Sequence, residues 1–223
     1  MSHEMPFDLV IFDCDGVLVD SEQLSCTAFA KVYANHGMAV PVSLVMKGIG
    51  MKQADIIRMI EAETGHHLPE SADAEFWPET RKLFAESLTP TDGIADFLQQ
   101  LPQKRCVASS SQLERIIFSL EKTGLIRFFG DAIFSSSMVR RGKPAPDLFL
   151  FAAERMGVEP SRCLVIEDSP FGVEGAVAAG MTVFGYTGGC HTYAEHADKL
   201  AAKGAKHVFD RWADIAREIL VAA

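Results

Sequence analysis

Short, nearly continuous apolar runs alternate along this chain with stretches whose apolar residues recur every three to four positions. Leu9-Val10-Ile11-Phe12, Cys106-Val107-Ala108, Ala132-Ile133-Phe134, Cys163-Leu164-Val165-Ile166 and Thr182-Val183-Phe184 are such runs, with His207-Val208-Phe209 a weaker sixth. Runs of this kind suit parallel strands covered on both faces. Between them the period is helical. Leu113, Ile116, Ile117 and Leu120 share one face behind the capping-box pattern Ser111-Gln112-Leu113-Glu114, and Gly124 supplies a stop. A second helix is predicted from about Asp147 to Met156, before Gly157. A third begins at Ser169-Pro170, with serine as N-cap and proline in the first turn, and ends near Gly180. Trp212 to Leu220 reads as an amphipathic helix closing the sheet.

One stretch breaks the alternation. Between Phe12 and Cys106 about ninety residues carry no convincing strand and three helical patterns. Leu24, Ala28, Phe29, Val32 and Tyr33 share a face before Gly37; Ile56, Ile57 and Ile60 precede Gly65; Phe76, Leu83 and Phe84 lie in a segment from Ala72 to Leu88, limited or kinked by Pro78. The pattern predicts an α/β fold: a doubly wound, mostly parallel Rossmann-like sheet with a helical cap domain inserted after the first strand. The expected division is a core of residues 1–16 and 90–223 and a cap of residues 17–89.

Composition narrows the partners. The 223 residues hold 21 Lys+Arg against 30 Asp+Glu, a net charge of −9, so the chain has no general attraction to nucleic acid. No apolar run approaches the ~20 residues of a bilayer span. Met1-Ser2-His3-Glu4-Met5-Pro6 lacks the basic and apolar stretches of a leader. Five scattered cysteines show no metal spacing, and Cys106 and Cys163 read as buried thiols. The expectation is a cytoplasmic monomer or small homo-oligomer with neither a nucleic-acid nor a membrane partner.

In a parallel sheet, ligands bind beyond the carboxyl ends of the strands. Those ends carry Asp13-Cys14-Asp15-Gly16, Ser109-Ser110-Ser111, Arg141-Gly142-Lys143-Pro144 and Glu167-Asp168-Ser169-Pro170. Acids after two different strands repel unless a cation sits among them, and hard oxygen ligands in that number suit Mg²⁺ shared with a phosphate. Lys143 and Ser109 would then serve the remaining phosphate oxygens. Taken singly, each motif also fits a turn, a helix cap or a solvated loop. Four in this order are hard to assign to structure alone.

These motifs resemble those of the haloacid dehalogenase-like hydrolase superfamily. Asp13-Cys14-Asp15-Gly16-Val17-Leu18-Val19-Asp20-Ser21 is similar to its first motif, Ser109 to its second, Lys143 in Gly142-Lys143-Pro144 to its third and Glu167-Asp168 to its fourth. The beta-phosphoglucomutase-like branch, with its sugar-phosphate phosphatases, is the group it resembles. The resemblance implies that Asp13 is a nucleophile forming an aspartyl-phosphate and that Asp15 is the general acid and base. It implies that Mg²⁺ is held by Asp13, the Asp15 carbonyl and Asp168, with Glu167 as a further carboxylate, while Ser109 and Lys143 grip the phosphoryl group. Gly16 lets the chain turn toward the cap.

Asp15 and the Glu167-Asp168 pair argue for phosphoryl transfer over dehalogenation. A mutase of the beta-phosphoglucomutase type is the alternative, weakened because its cap histidine and arginine align with Ser25 and Met51. A non-turnover receiver-like phosphate sensor is an alternative of another class. The expected substrate is a small phosphorylated metabolite, a sugar or sugar-acid phosphate, touching Ser110 and Lys52. Lys52 closes the loop Lys47-Gly48-Ile49-Gly50-Met51-Lys52, which reads equally as a flexible turn with solvated lysines. Cys190, His191 and His196 read as a surface loop, and Phe171 as core packing beneath the site.

Overall fold

The computed structural model describes residues 7–49 and 51–220. Met1–Pro6, read above for a leader, and Gly50 of the cap loop lie outside the described residues. Six parallel strands form one sheet: β1 (Leu9–Phe12), β2 (Lys104–Ser109), β3 (Ile133–Ser135), β4 (Cys163–Glu167), β5 (Thr182–Tyr186) and β6 (His207–Phe209). Their order is β3-β2-β1-β4-β5-β6. Ile11 pairs with Cys106 on one side and Val165 on the other, so β1 is central. The chain runs outward from β1 to β3 and then returns to β4. The crevice beyond the end of β1 is therefore where the strand order reverses and a ligand can enter.

The all-apolar strands are explained by burial on both faces. Val10 and Phe12 join one core cluster and Leu9 and Ile11 the other, the two-residue period of a strand dividing them. Phe12 meets Phe97, Phe129 and Trp212 at ring-centroid distances of 6.1, 5.9 and 6.0 Å. Burying each such side chain stabilises the fold by ~1.5–3 kcal/mol.

The insert after β1 holds four helices: α1 (Glu22–Asn35), α2 (Val42–Met46), α3 (Gln53–Thr64) and α4 (Phe76–Ser87). They build a core of their own around Phe29, Val32, Tyr33, Leu44, Ile60 and Phe76. Pro78 sits in the first turn of α4, where its missing N–H costs nothing. Two linkers join the insert to the sheet and bind each other: Asp20 N–H donates to Thr89 O (3.0 Å) and Thr91 N–H to Leu18 O (3.1 Å). The remaining helices are α5 (Ile94–Gln100), α6 (Leu113–Lys122), α7 (Asp147–Met156), α8 (Pro170–Ala178), α9 (His196–Ala202) and α10 (Trp212–Leu220). Helices α2, α5 and α9 were not expected; each has only five to seven residues, two turns at most. Among the described residues no helix is long and apolar enough to cross a membrane.

Candidate active site

The chain leaves β1 through a tight turn. Gly16 N–H donates to Val19 O (2.8 Å), and Leu18 and Val19 N–H groups donate to Cys14 O. Gly16 takes φ +75°, and a Cβ there would stand 1.9 Å from Asp168 Oδ2, so only glycine lets the two strand ends approach this closely. Cys14 and Val17–Val19 are buried in the core and anchor the turn. Asp13 and Asp15 are thereby presented at the crevice.

Lys143 is the centre of the charge arrangement. Its Nζ donates to Asp13 Oδ1 (2.8 Å) and Glu167 Oε1 (2.6 Å), with the side chain 3% exposed. The other Glu167 oxygen accepts from the Ser169 N–H (2.8 Å) and hydroxyl (3.1 Å). Ser169 caps α8 as the sequence predicts, accepting the Gly172 N–H at 3.0 Å with Pro170 behind it. Burial disfavours the Lys143 charge, but Asp13 and Glu167 outweigh it and hold the ammonium above its ordinary value. Burial, with repulsion from Glu167 and Asp168, lifts the Asp13 carboxyl well above the usual range despite Lys143. Oxygens of Asp13, Glu167 and Asp168 lie within 4.8 Å of one another, an acid cluster that one lysine does not neutralise.

Asp15 turns the other way. Its Oδ1 accepts from Ser21 Oγ (2.6 Å) and Arg115 Nη2 (2.7 Å), and its Oδ2 from Ser111 Oγ (2.6 Å). Burial raises its carboxyl, but the Arg115 charge and these three donors prevail and hold it below the ordinary value. Ser109 is buried at the end of β2, its Oγ accepting the Ser111 N–H at 3.1 Å. The expected capping box is absent: Gln112 is the N-cap of α6 without a side-chain bond, because the Ser111 hydroxyl is committed to Asp15.

A family model of haloacid dehalogenase-like hydrolases matches residues 7–180. The chain belongs to the haloacid dehalogenase-like hydrolase family. It is 31% identical over 179 residues to a 6-phosphogluconate phosphatase of Escherichia coli, covering 79% of this chain and 81% of the relative. A haloacid dehalogenase-like protein of unknown function from Agrobacterium tumefaciens superposes with a TM-score of 0.85 at 37% identity, covering 96% and 98% of the two chains. A family hydrolase from Deinococcus radiodurans with bound phosphate and sodium gives 0.80 at 30% identity, covering 98% and 97%. This enzyme is a phosphoric monoester hydrolase, and the receiver-like alternative gives way to that membership.

The insert of this hydrolase closes a cavity of about 650 Å³ above the acid cluster, with Asp13, Asp15, Ser109 and Lys143 at its floor. Ser110 and Lys52 both line it. Lys52 has no ion-pair partner among the described residues and reaches toward the loop before Lys143, its Nζ 3.6 Å from where a Cβ on Gly142 would stand. Lys47 is instead paired with Glu63 at the surface.

Four polar residues of the site were missed by sequence reasoning. Arg115 bonds Asp15 and also Ser25 Oγ (2.8 Å), and lies 5.1 Å from the Phe84 ring centroid. No sequence signal marks it: its position falls off the apolar face of Leu113, Ile116, Ile117 and Leu120, and only the fold brings Asp15 and Ser25 to it. Glu22 lines the cavity from the first turn of α1, where burial and the charges of Asp15 and Asp168 raise its carboxyl to about 7. His191 Nε2 lies 2.9 Å from Asp168 Oδ2, and His196 Nε2 2.6 Å from the Asp168 carbonyl. The surface-loop expectation is corrected here: both histidines are buried, because the segment after β5 folds back over the end of β4, and only Cys190 is exposed. Phe171 is corrected too; it is 38% exposed and belongs to no core cluster of the described residues.

Proposed function

We propose that this hydrolase removes the phosphoryl group from a small phosphorylated sugar or sugar acid, using Mg²⁺ and an aspartyl-phosphate on Asp13. The observation that carries this reading is the pairing of Lys143 with Asp13 and Glu167 beside Asp168, at the floor of a metabolite-sized cavity. The donors suit a hard cation: carboxylates from two strand ends, including a buried Asp168 Oδ2 that lacks an in-line hydrogen-bond donor. Asp13, Asp168 and the Asp15 carbonyl would hold the ion, with Glu167 behind them on Lys143. When bound, it draws charge from the phosphoryl oxygens and offsets their repulsion of Asp13.

The residues then divide the chemistry. An Asp13 carboxylate oxygen attacks phosphorus, the ester P–O bond breaks, and the leaving oxygen takes a proton from Asp15. Water gives a proton back to Asp15 and attacks phosphorus; the bond to Asp13 breaks and phosphate leaves. Lys143 and Ser109 hold the phosphoryl oxygens through both steps. Arg115, Ser111 and Ser21 keep Asp15 as a carboxylate, the form that the second step needs. The first step needs it protonated, so substrate entry must loosen those bonds.

Hydrolysis is favoured over the mutase alternative by the cap. A mutase must grip a second phosphate there, whereas Ser25 is engaged with Arg115 and with Ser21 O (2.9 Å), and Met51 carries no charge. Lys52 would meet the far end of the substrate and Ser110 its near end. Residues 17–89 would act as the cap, pivoting on the bonded linkers. Five free cysteines support the cytoplasmic reading. The test is phosphate release from phosphorylated sugars, sugar acids and an aryl phosphate with Mg²⁺, beside the Asp13→Asn variant. Many turnovers by the parent and none by Asp13→Asn are expected; a single equivalent of phosphate, or an active Asp13→Asn, would refute the proposal.

A further inference from the structure

We propose that His191 is a positioning residue that fixes the Asp168 carboxylate for a divalent cation, and that residues 187–195 form a strut linking that carboxylate to the entrance of the helical insert. The inference rests on the metal-site reading above and adds to it residues outside all four sequence motifs.

Each carboxylate of the cluster has a buried partner, but not the same one. Asp13 and Glu167 share Lys143. Asp168 has His191, whose Nε2 lies 2.9 Å from Oδ2 with the ring's side chain 1% exposed. No other side chain among the described residues contacts the Asp168 carboxylate within ion-pair distance. Without the ring, that carboxylate could rotate away from Asp13, and a ligand that must first be oriented binds a cation more weakly.

The ring is itself held. His191 packs edge-on against His196 at 5.5 Å between centroids, and Tyr193 stacks on His196 at 4.9 Å, so three rings back one another behind Asp168. On the near side the backbone makes room: a Cβ on Gly189 would stand 2.8 Å from His191 Nδ1 and 3.1 Å from Gly16 O. The segment is tied at several points. Thr187 N–H donates to Phe209 O (2.8 Å), and Thr192 Oγ1 to Thr187 O (2.8 Å). Cys190 N–H donates to Asp20 Oδ1 (3.0 Å), in the linker that enters the insert. The residue next to the metal-site histidine is thereby bonded to the hinge of the cap. A displacement of the linker is transmitted through one peptide to the orientation of Asp168.

The test is Mg²⁺ and Mn²⁺ binding by titration calorimetry on the intact protein, its His191→Phe, His191→Gln and Asp20→Ala variants, with the metal-free melting temperature of each. His191→Phe should weaken binding by about 10–100-fold without a matching loss of melting temperature, and His191→Gln, which puts a polar amide back beside Asp168, should recover most of it. Asp20→Ala, which cuts the Cys190 tether, should weaken binding in the same direction but less. At saturating cation, the KM of His191→Phe for an aryl phosphate should equal the parent's. Binding by His191→Phe as tight as the parent's overturns the proposal, as does a loss equal in His191→Gln or one that tracks melting temperature. Unaltered binding by Asp20→Ala overturns the strut. Absence of any binding by the parent protein overturns instead the metal-site reading beneath it.

Discussion

Lys143→Met removes one charge from the centre of the site and leaves the stem that fills its volume. The ammonium lies 2.8 Å from Asp13 and 2.6 Å from Glu167, in a side chain only 3% exposed. At an effective dielectric constant of ~20, each such contact is worth about 6 kcal/mol of gross attraction, before the desolvation of the ions is subtracted. Desolvation takes most of it back, and breaking a buried pair by removing one partner typically costs ~3–5 kcal/mol. In a chain of this length that lowers Tm by roughly 6–20 °C. Much of the penalty is repulsion among the three stranded carboxylates, so Mg²⁺ should stabilise Lys143→Met more than it stabilises the parent. Thermal melts with chelator and with saturating Mg²⁺ measure both quantities, and kcat with an aryl phosphate should fall by about 10²–10³. A variant melting within ~2 °C of the parent in chelator, or gaining less from Mg²⁺ than the parent, would refute the reasoning.

Other perturbations follow from the same charges. Burial and mutual repulsion hold Asp13 and Glu167 above their ordinary values, so above about pH 4 the folded chain binds more protons than the unfolded one. Metal-free stability should therefore fall as pH rises; His191, lifted to about 9 against burial by Asp168, adds a loss in the same direction between its ordinary value and pH 9. Denaturant titrations with chelator check this, and a stability that climbs from pH 5 to pH 8 contradicts it. Arg115→Met leaves burial to dominate Asp15, so the alkaline limb of kcat/KM, where the general acid of the first step loses its proton, should move to higher pH and the plateau drop by roughly 10². An unmoved limb would show that Arg115 does not set the state of Asp15. Lys52→Ala should raise KM roughly tenfold for substrates with an anionic far end and leave aryl phosphates unchanged; equal effects on both would remove Lys52 from recognition.

What was legible in the sequence is what is local. Leu9–Phe12 and Cys163–Glu167 are apolar throughout because both faces of a parallel strand are buried, and Asp13, Lys143, Glu167 and Asp168 follow strand ends that the topology brings together. Ser169-Pro170 declares a helix start within three residues. The missed features depend on distant partners. Ser111 looks like a cap until Asp15, 96 residues earlier, claims its hydroxyl. His191 looks like a surface residue because its partner Asp168 lies just beyond the end of β4 and its tether, Asp20, near the other end of the chain. Phe171 failed in the opposite sense: an apolar residue after a cap suggests core, yet it is exposed and joins no core cluster of the described residues.

The covalent step is tested most directly by quenching the enzyme with acid during turnover of a phosphorylated sugar and weighing the peptide that contains Asp13. A phosphate on that carboxylate, absent in Asp13→Asn, is the predicted result. An unmodified Asp13 peptide throughout turnover, with phosphate still released over many turnovers and no phosphoryl-enzyme ever trapped, would contradict it.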